Sequence, residues 1–175
     1  TVCDDHLTRS DLEPVEDPGQ AWNALTVGAY TEKYDLFAAP VDFDGWTCLA
    51  ERGELSPFSR TSVPFDAPWP VKPDVVMEGG NLARSPDGTS YDTPDVLQIL
   101  TTKAPLRNER LLTVTGQTSA ATAQTAHLAA TILAEYPSFW PETVRALIVH
   151  SAEWTPAMQL QFGRAASRAD RVALH

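Results

Sequence analysis

Short apolar runs separated by polar turns divide the chain into predicted strands. Residues 24–30 form an apolar run rich in β-branched side chains, which is typical of a buried strand. Residues 74–77 form a second run, and the glycine pair 79–80 after it predicts a sharp turn. The runs at 97–102 and 110–116 are joined by a polar segment and therefore predict a β-hairpin.

Two helices are predicted after the hairpin. The first runs from Ser119 to Tyr136 and is rich in alanine around its whole axis, which favours helix and lets neighbouring backbones approach closely. We therefore expect this helix to be buried on most sides. Pro141 occupies a favoured first-turn position and starts the second helix, which is predicted to end near Ala152. Strands that lead into packed helices indicate an α/β layer fold.

Composition limits the kinds of partner. The chain has 175 residues, 43% of them hydrophobic and 21% charged, which suffices for one ordinary domain with a core. The formal net charge of −10 and the lack of a Lys/Arg cluster argue against nucleic acid and against an anionic membrane surface as partners. No apolar run approaches the ~20 residues of a membrane-spanning helix.

The start of the chain is acidic. The carboxylates there are Asp4, Asp5, Asp11, Glu13, Glu16 and Asp17. A solvated acidic loop accounts for them, and a structural calcium site built from some of them is the alternative. Cys3 and Cys48 lack the spacing of a metal site, and two cysteines do not indicate a compartment.

The candidate chemistry lies in residues 115–130, TGQTSAATAQTAHLAA. A glycine-containing turn brings Thr118 and Ser119 to the start of the first helix. Backbone N–H groups and the positive end of the helix dipole favour developing negative charge there. This arrangement suits a nucleophilic hydroxyl at Ser119. The simpler alternative is that Ser119 only caps the helix, since Ser and Thr are common N-terminal caps.

A nucleophilic serine needs a histidine base and a carboxylate that orients it, and no histidine of the chain is a convincing base. His127 lies about 12 Å farther along the same helix than Ser119 and cannot reach its hydroxyl. His150 lies in an apolar turn of the second helix and is interpreted as a core or boundary residue. No sequence pattern around the terminal His175 indicates a role for it. His6 could fold over the site, but no predicted strand end or helix start fixes it.

The segment around Ser119 resembles the nucleophile motif of the subtilisin-like serine peptidases, the subtilases. That motif is Gly-Thr-Ser-x-Ala-x-Pro followed by an alanine-rich helix, and the chain reads Gln-Thr-Ser-Ala-Ala-Thr-Ala from Gln117. The run NALTVGA resembles the strand after the family's oxyanion-hole asparagine. Residues 55–62 and 72–81 resemble its Phe-Ser-Ser segment and its Lys-Pro-Asp-Val strand. Because these pieces occur in family order, the resemblance covers residues 20–154.

Two positions depart from the family motif. Gln117 stands where the family has glycine, so a positive φ at this position would strain the backbone. Ala123 stands where the family has proline. A non-catalytic, subtilase-like binding or structural module with a degenerate active site therefore remains the alternative function. An unrelated α/β domain with a chance Thr-Ser cap is the third possibility.

The resemblance implies a serine endopeptidase of the subtilisin type with Ser119 as its nucleophile. It also implies a three-layer α/β fold with a parallel sheet, of which residues 1–175 would hold the later strands, the hairpin and the buried helix that carries Ser119. The family's Asp-Thr-Gly, His-Gly-Thr and Ala-Gly-Asn motifs do not occur in the chain. The catalytic Asp and His and the oxyanion Asn are therefore expected in a preceding, N-terminal part of the same domain.

The expected partners are that N-terminal part and a polypeptide substrate. No cofactor is expected to be required for catalysis, and structural calcium remains possible. The isolated chain is expected to be inactive because it lacks the triad base.

Overall fold

The computed structural model describes residues 6–7, 13–62, 70–104 and 111–162. Its strands are β1 (Val27–Tyr30), β2 (Thr47–Cys48), β3 (Val75–Glu78), β4 (Ala83–Arg84), β5 (Tyr91–Asp92), β6 (Ile99–Thr102) and β7 (Leu112–Thr115). Its helices are α1 (Gln117–Glu135), α2 (Pro141–Ser151) and α3 (Pro156–Phe162), and short 3-10 turns lie at Val41–Phe43 and Asp95–Leu97.

A parallel pair of strands, β1 and β3, lies beneath the first helix. Val27 lies opposite Val75, and the pairing continues to Tyr30 opposite Glu78. Helix α1 packs on both strands. The strands predicted at 24–30 and 74–77 are therefore confirmed. In the structure they span Val27–Tyr30 and Val75–Glu78. The α/β class with a parallel sheet is also confirmed.

Two antiparallel sheets complete the described strands. Strand β4 lies between β2 and β5, and β6 pairs with β7. Ile99 lies opposite Thr115 and Thr102 opposite Leu112, so the predicted hairpin is confirmed. The segment 105–110 within that hairpin lies outside the described residues.

The apolar core lies between the parallel pair and the two longer helices. Val75 of β3 and Val144 and Ile148 of α2 are buried together. Leu128 and Ile132 of α1 pack against this cluster. Helix α2 follows its prediction closely because Pro141 starts it and its apolar residues recur at helical spacing.

The prediction that the first helix is buried on most sides is wrong for the described part of the chain. Only Ala120, Ala121 and Thr125 of α1 are buried. Ala126 and Ala130 are exposed, because α1 packs on the strands with one face and no described residue covers the other. Alanine favours helix by its propensity, and that preference does not specify burial. The helix also begins earlier than predicted, at Gln117.

A buried lysine links the segment just before β3 to the segment just before β1. The Lys72 side chain is 1% exposed, and its Nζ donates to Asp74 Oδ2 and to the Ala24 carbonyl oxygen, each at 2.8 Å. Asp74 Oδ2 also accepts the Thr26 backbone N–H at 2.7 Å. Arg145 of α2 lies 3.6 Å from Asp74 Oδ1. This network links the starts of both parallel strands to the second helix.

Candidate active site

Ser119 lies in the first turn of α1, where backbone N–H groups have no partner within the helix. The residue before the helix, Gly116, is extended, and the helix start has no side-chain cap hydrogen bond. Ser119 is exposed, and among the described residues its hydroxyl forms no hydrogen bond. The side chain is therefore not a helix cap, and its hydroxyl is available to an incoming group.

The backbone just before Ser119 turns through a conformation that favours glycine. Gln117 has a φ of +64°, and within the described ranges it is the sole non-glycine residue with positive φ. The sequence-based expectation that glutamine would be strained at this position is confirmed. Such a conformation costs on the order of 1–3 kcal/mol and persists where the surrounding structure holds it.

The turn after β3 holds this strained backbone. The Gln117 N–H donates to the Gly79 carbonyl oxygen at 2.6 Å. A Cβ at Gly79 would overlap the Ala29 Cβ and lie 3.1 Å from the Gln117 carbonyl oxygen, so only glycine fits between β1 and α1. Gln124, one turn beyond Ser119, donates from Nε2 to the Glu78 carbonyl oxygen at 2.7 Å. The end of β3 therefore positions the first turns of α1.

Replacing Gly79 with alanine tests this positioning. We expect Gly79→Ala to lower the free energy of unfolding by about 3 kcal/mol, because the new methyl must displace Ala29 or the backbone of Gln117. The measurement is urea unfolding followed by circular dichroism. Gly88→Ala is the control, since a Cβ there meets open space and the substitution adds only the cost of alanine at positive φ, about 1–2 kcal/mol. Equal losses in the two variants would contradict the proposed contact.

A pocket of about 300 Å³ lies beside Ser119. Gln117, Gln98, Thr93 and Phe58 line it, and no lining residue is charged. Gln98 Nε2 donates to the Thr93 carbonyl oxygen at 2.8 Å, which holds the Gln98 amide in place. The pocket therefore combines an aromatic wall with neutral amide and hydroxyl groups next to the exposed serine.

A second pocket, of about 240 Å³, lies against Thr118. Phe58 lines both pockets, and Arg60 and Glu16 line the second one. Arg60 forms ion pairs at 3.1 Å with Glu13 and with Glu16, so its charge is already matched by two carboxylates. Phe58 is therefore shared by the two pockets near the first turn of α1.

The Subtilase family model matches residues 4–170. The chain belongs to the subtilase family. This membership confirms the family inferred from the sequence and makes the chain part of a family of serine peptidases, which are hydrolases. Searches of curated proteins and of solved structures found no match.

No histidine among the described residues of this subtilase chain hydrogen-bonds to the Ser119 hydroxyl. His127 is exposed on α1, beyond its first turns. His150 is exposed in the last turn of α2, so its interpretation as a core or boundary residue is wrong. His6 Nε2 lies 3.1 Å from the Leu55 carbonyl oxygen, which gives its ring another partner. His175 lies outside the described residues.

The calcium hypothesis concerns residues that are only partly described. Glu13 and Glu16 pair with Arg60. In the described ranges no group of three or more His, Cys, Asp or Glu side chains could hold a metal ion. Asp17 is also described and is exposed, whereas Asp4, Asp5 and Asp11 are not described, and the calcium site stays a prediction.

Cys48 does not compete with Ser119 as a nucleophile. Its Sγ donates to the Tyr34 carbonyl oxygen at 3.2 Å. Burial, together with the nearby carboxylates of Glu51 and Asp35, raises the pKa of the Cys48 thiol to about 11. The thiol is therefore protonated at neutral pH, and the thiolate is the reactive form.

No helix among the described residues is both long enough and apolar enough to cross a membrane.

Several residues of the site have only weak signals in the sequence. Gly79 was recognised as part of a sharp turn, but its contact with Gln117 joins segments that are distant in the chain. Gln98 and Thr93 match no sequence motif. They lie between β5 and β6, and only the folded chain brings them beside Ser119. Phe58 lies in the family-like segment 55–62, which was its one available signal.

Proposed function

We propose that this chain is the C-terminal portion of a subtilisin-type serine endopeptidase domain with Ser119 as the nucleophile. The observation that carries the proposal is the exposed Ser119 hydroxyl in the first turn of α1, which bonds to no described residue and lies beside a pocket, in a chain of the subtilase family. The substrate is a polypeptide, and catalysis needs no cofactor.

The reaction follows acyl-enzyme chemistry. Ser119 Oγ forms a bond to the scissile carbonyl carbon while a histidine from the N-terminal part of the domain takes the hydroxyl proton. The C–N bond then breaks as the histidine returns the proton to the departing amine, which leaves an ester on Ser119. Water attacks that ester with the same histidine as base, releases the carboxylic acid and restores the hydroxyl.

Negative charge on the carbonyl oxygen develops at the positive end of α1. The backbone N–H of Ser119 is one of the first-turn donors that the helix leaves without internal partners. The helix dipole adds to this donor's effect. By the family resemblance, an asparagine of the N-terminal part supplies the second oxyanion donor.

The exposed apolar surface supports a covering layer from the N-terminal part. The outward face of α1 is rich in exposed alanine. Small alanine side chains would let the backbone of another segment pack closely against this face. Large apolar side chains are also exposed near the helices: Leu133, Tyr136, Trp140 and Leu147. Exposed apolar patches of this kind mark interaction surfaces. The N-terminal part would complete a three-layer fold in which α1 is the buried central helix.

A non-catalytic subtilase-like module is the second candidate. The observation that favours it is the positive φ at Gln117, since the family motif has glycine there and glutamine strains the turn next to Ser119. In that case Ser119 would lack a working base, and the same pockets would bind a peptide without cleaving it.

Fluorophosphonate labelling distinguishes these candidates. We define the complete peptidase as this chain together with the N-terminal part that supplies the Asp and His. We expect rapid labelling of Ser119 in the complete peptidase, and labelling slower by about 10³-fold or more in the 175-residue chain alone, because no base activates the hydroxyl. Mass spectrometry locates the modified residue, and Ser119→Ala is the control.

Each other outcome of this labelling experiment has a defined meaning. Rapid labelling of the chain alone would refute the requirement for a base from the N-terminal part. A complete peptidase that resists labelling would favour the non-catalytic module.

A further inference from the structure

The side chain of Gln117 is placed at the site by a strained backbone. Its φ of +64° is held by the hydrogen bond to Gly79, and the residue lines the pocket beside Ser119. Glycine would adopt this conformation at lower cost. Strained residues that persist cluster at functional sites, so an observed outlier here is a reason to look for a role of its side chain.

The Gln117 amide is free to bind a ligand. The side chain is exposed and forms no hydrogen bond with any part of the chain that the structure describes. Gln98 differs, because its Nε2 is already bonded to the Thr93 carbonyl oxygen. Gln117 therefore offers two amide donors and a carbonyl acceptor to whatever enters the pocket.

The rest of the pocket favours neutral polar groups. Its polar side chains belong to Thr93, Gln98, Thr115, Gln117 and Ser119, and it holds no charged residue. A charged side chain would meet no opposite charge among these lining residues. An aliphatic side chain would leave the Gln117 amide without a partner when the substrate displaces water.

We propose that Gln117 is a specificity-determining residue of the peptidase. Its amide hydrogen bonds to a neutral polar side chain of the substrate, on the side of the scissile bond that faces the pocket lined by Gln98 and Thr93. The complete peptidase therefore favours Asn, Gln, Ser or Thr at that substrate position over Leu. This inference rests on the proposed function of Ser119.

Matched peptide substrates test the inference in the complete peptidase. Internally quenched peptides carry Gln or Leu at each position next to the scissile bond, and kcat/KM is measured for every pair. At the position that enters the pocket we expect Gln to be preferred by about tenfold, the effect of one net hydrogen bond. In Gln117→Gly, whose backbone suits the positive φ, this preference falls to about twofold or less.

Further variants separate a side-chain contact from a change in the turn. Gln117→Asn keeps an amide and tolerates positive φ, so it should retain part of the preference. Thr122→Ala alters an exposed position of the same helix outside the pocket lining and should leave the preference unchanged. A Gln-to-Leu preference that is the same in wild type and Gln117→Gly, or absent from wild type, would overturn the inference.

Failure of this inference can be told from failure of the proposed function. If Ser119 labels with fluorophosphonate and Ser119→Ala is inactive while Gln117→Gly keeps the wild-type preference, only the role of Gln117 is lost. If Ser119→Ala cleaves peptides as fast as wild type, the proposed nucleophile is wrong and the role of Gln117 beside it is overturned as well.

Discussion

Replacing Ser119 with alanine is expected to lower kcat for peptide hydrolysis by about 10⁶-fold in the complete peptidase. The reason is that, among the described residues that line its pocket, Ser119 alone offers a primary hydroxyl at the start of α1. Thr118 lines the pocket on the other side of the turn, and Cys48 is held as a protonated thiol. The residual rate would come from substrate binding and the oxyanion donors. The measurement is turnover of an internally quenched peptide under saturating substrate.

The same substitution should leave the fold intact. Ser119 is exposed and its hydroxyl bonds to no described residue, so we expect the free energy of unfolding to change by less than about 0.5 kcal/mol. Thr122→Ala is the control on α1, because it removes an exposed hydroxyl that donates only to the Thr118 carbonyl oxygen, at 2.8 Å, and that lies outside the pocket beside Ser119. A Ser119→Ala protein that retains a tenth of the wild-type turnover would rule out Ser119 as the nucleophile.

Replacing Lys72 with methionine is expected to lower the free energy of unfolding by about 3–5 kcal/mol. The Lys72 side chain is almost fully buried, and its ammonium contacts the Asp74 carboxylate and the Ala24 carbonyl. Methionine keeps much of the volume but leaves the Asp74 charge, itself only 17% exposed, without its nearest cation. Arg145 is farther away and compensates incompletely. Urea unfolding gives the difference.

Two further variants show whether the ion pair causes this loss. Lys103→Met removes an exposed lysine together with its surface contact and should cost no more than about 1 kcal/mol. Adding Asp74→Asn to Lys72→Met removes the unpaired charge while an amide oxygen can still accept the Thr26 N–H, so the double variant should recover part of the stability. If Lys72→Met were no less stable than Lys103→Met, the network would not hold the parallel pair together.

Sequence patterns predicted the local elements well where the signal is contained in one segment. The hairpin was predictable because both β6 and β7 are short apolar runs joined by a polar segment. Helix α2 was predictable because Pro141 marks its start and apolar spacing marks its face. The burial of α1 was mispredicted because alanine content reports helix propensity, whereas burial depends on which other segments cover the helix.

The same distinction, between signals within one segment and contacts between distant segments, applies to the candidate site. Ser119 was found because the Thr-Ser pair and the alanine-rich helix after it lie next to each other in the chain. The support from Gly79, the contact from Gln124 and the polar pocket wall at Gln98 join segments that are far apart in sequence. No local pattern specifies such contacts.

By itself, the sequence determined the family, the nucleophile candidate and the expectation that Gln117 would be strained if its φ were positive, because each depends on a motif or on the steric limits of one residue. The tertiary structure alone decided that this φ is positive, that Gly79 holds it, and that Gln117 lines a pocket without charged residues beside Ser119. The physical reason is that parallel pairing of β1 with β3 brings the end of β3 against the start of α1, and only that packing sets the backbone angle at Gln117.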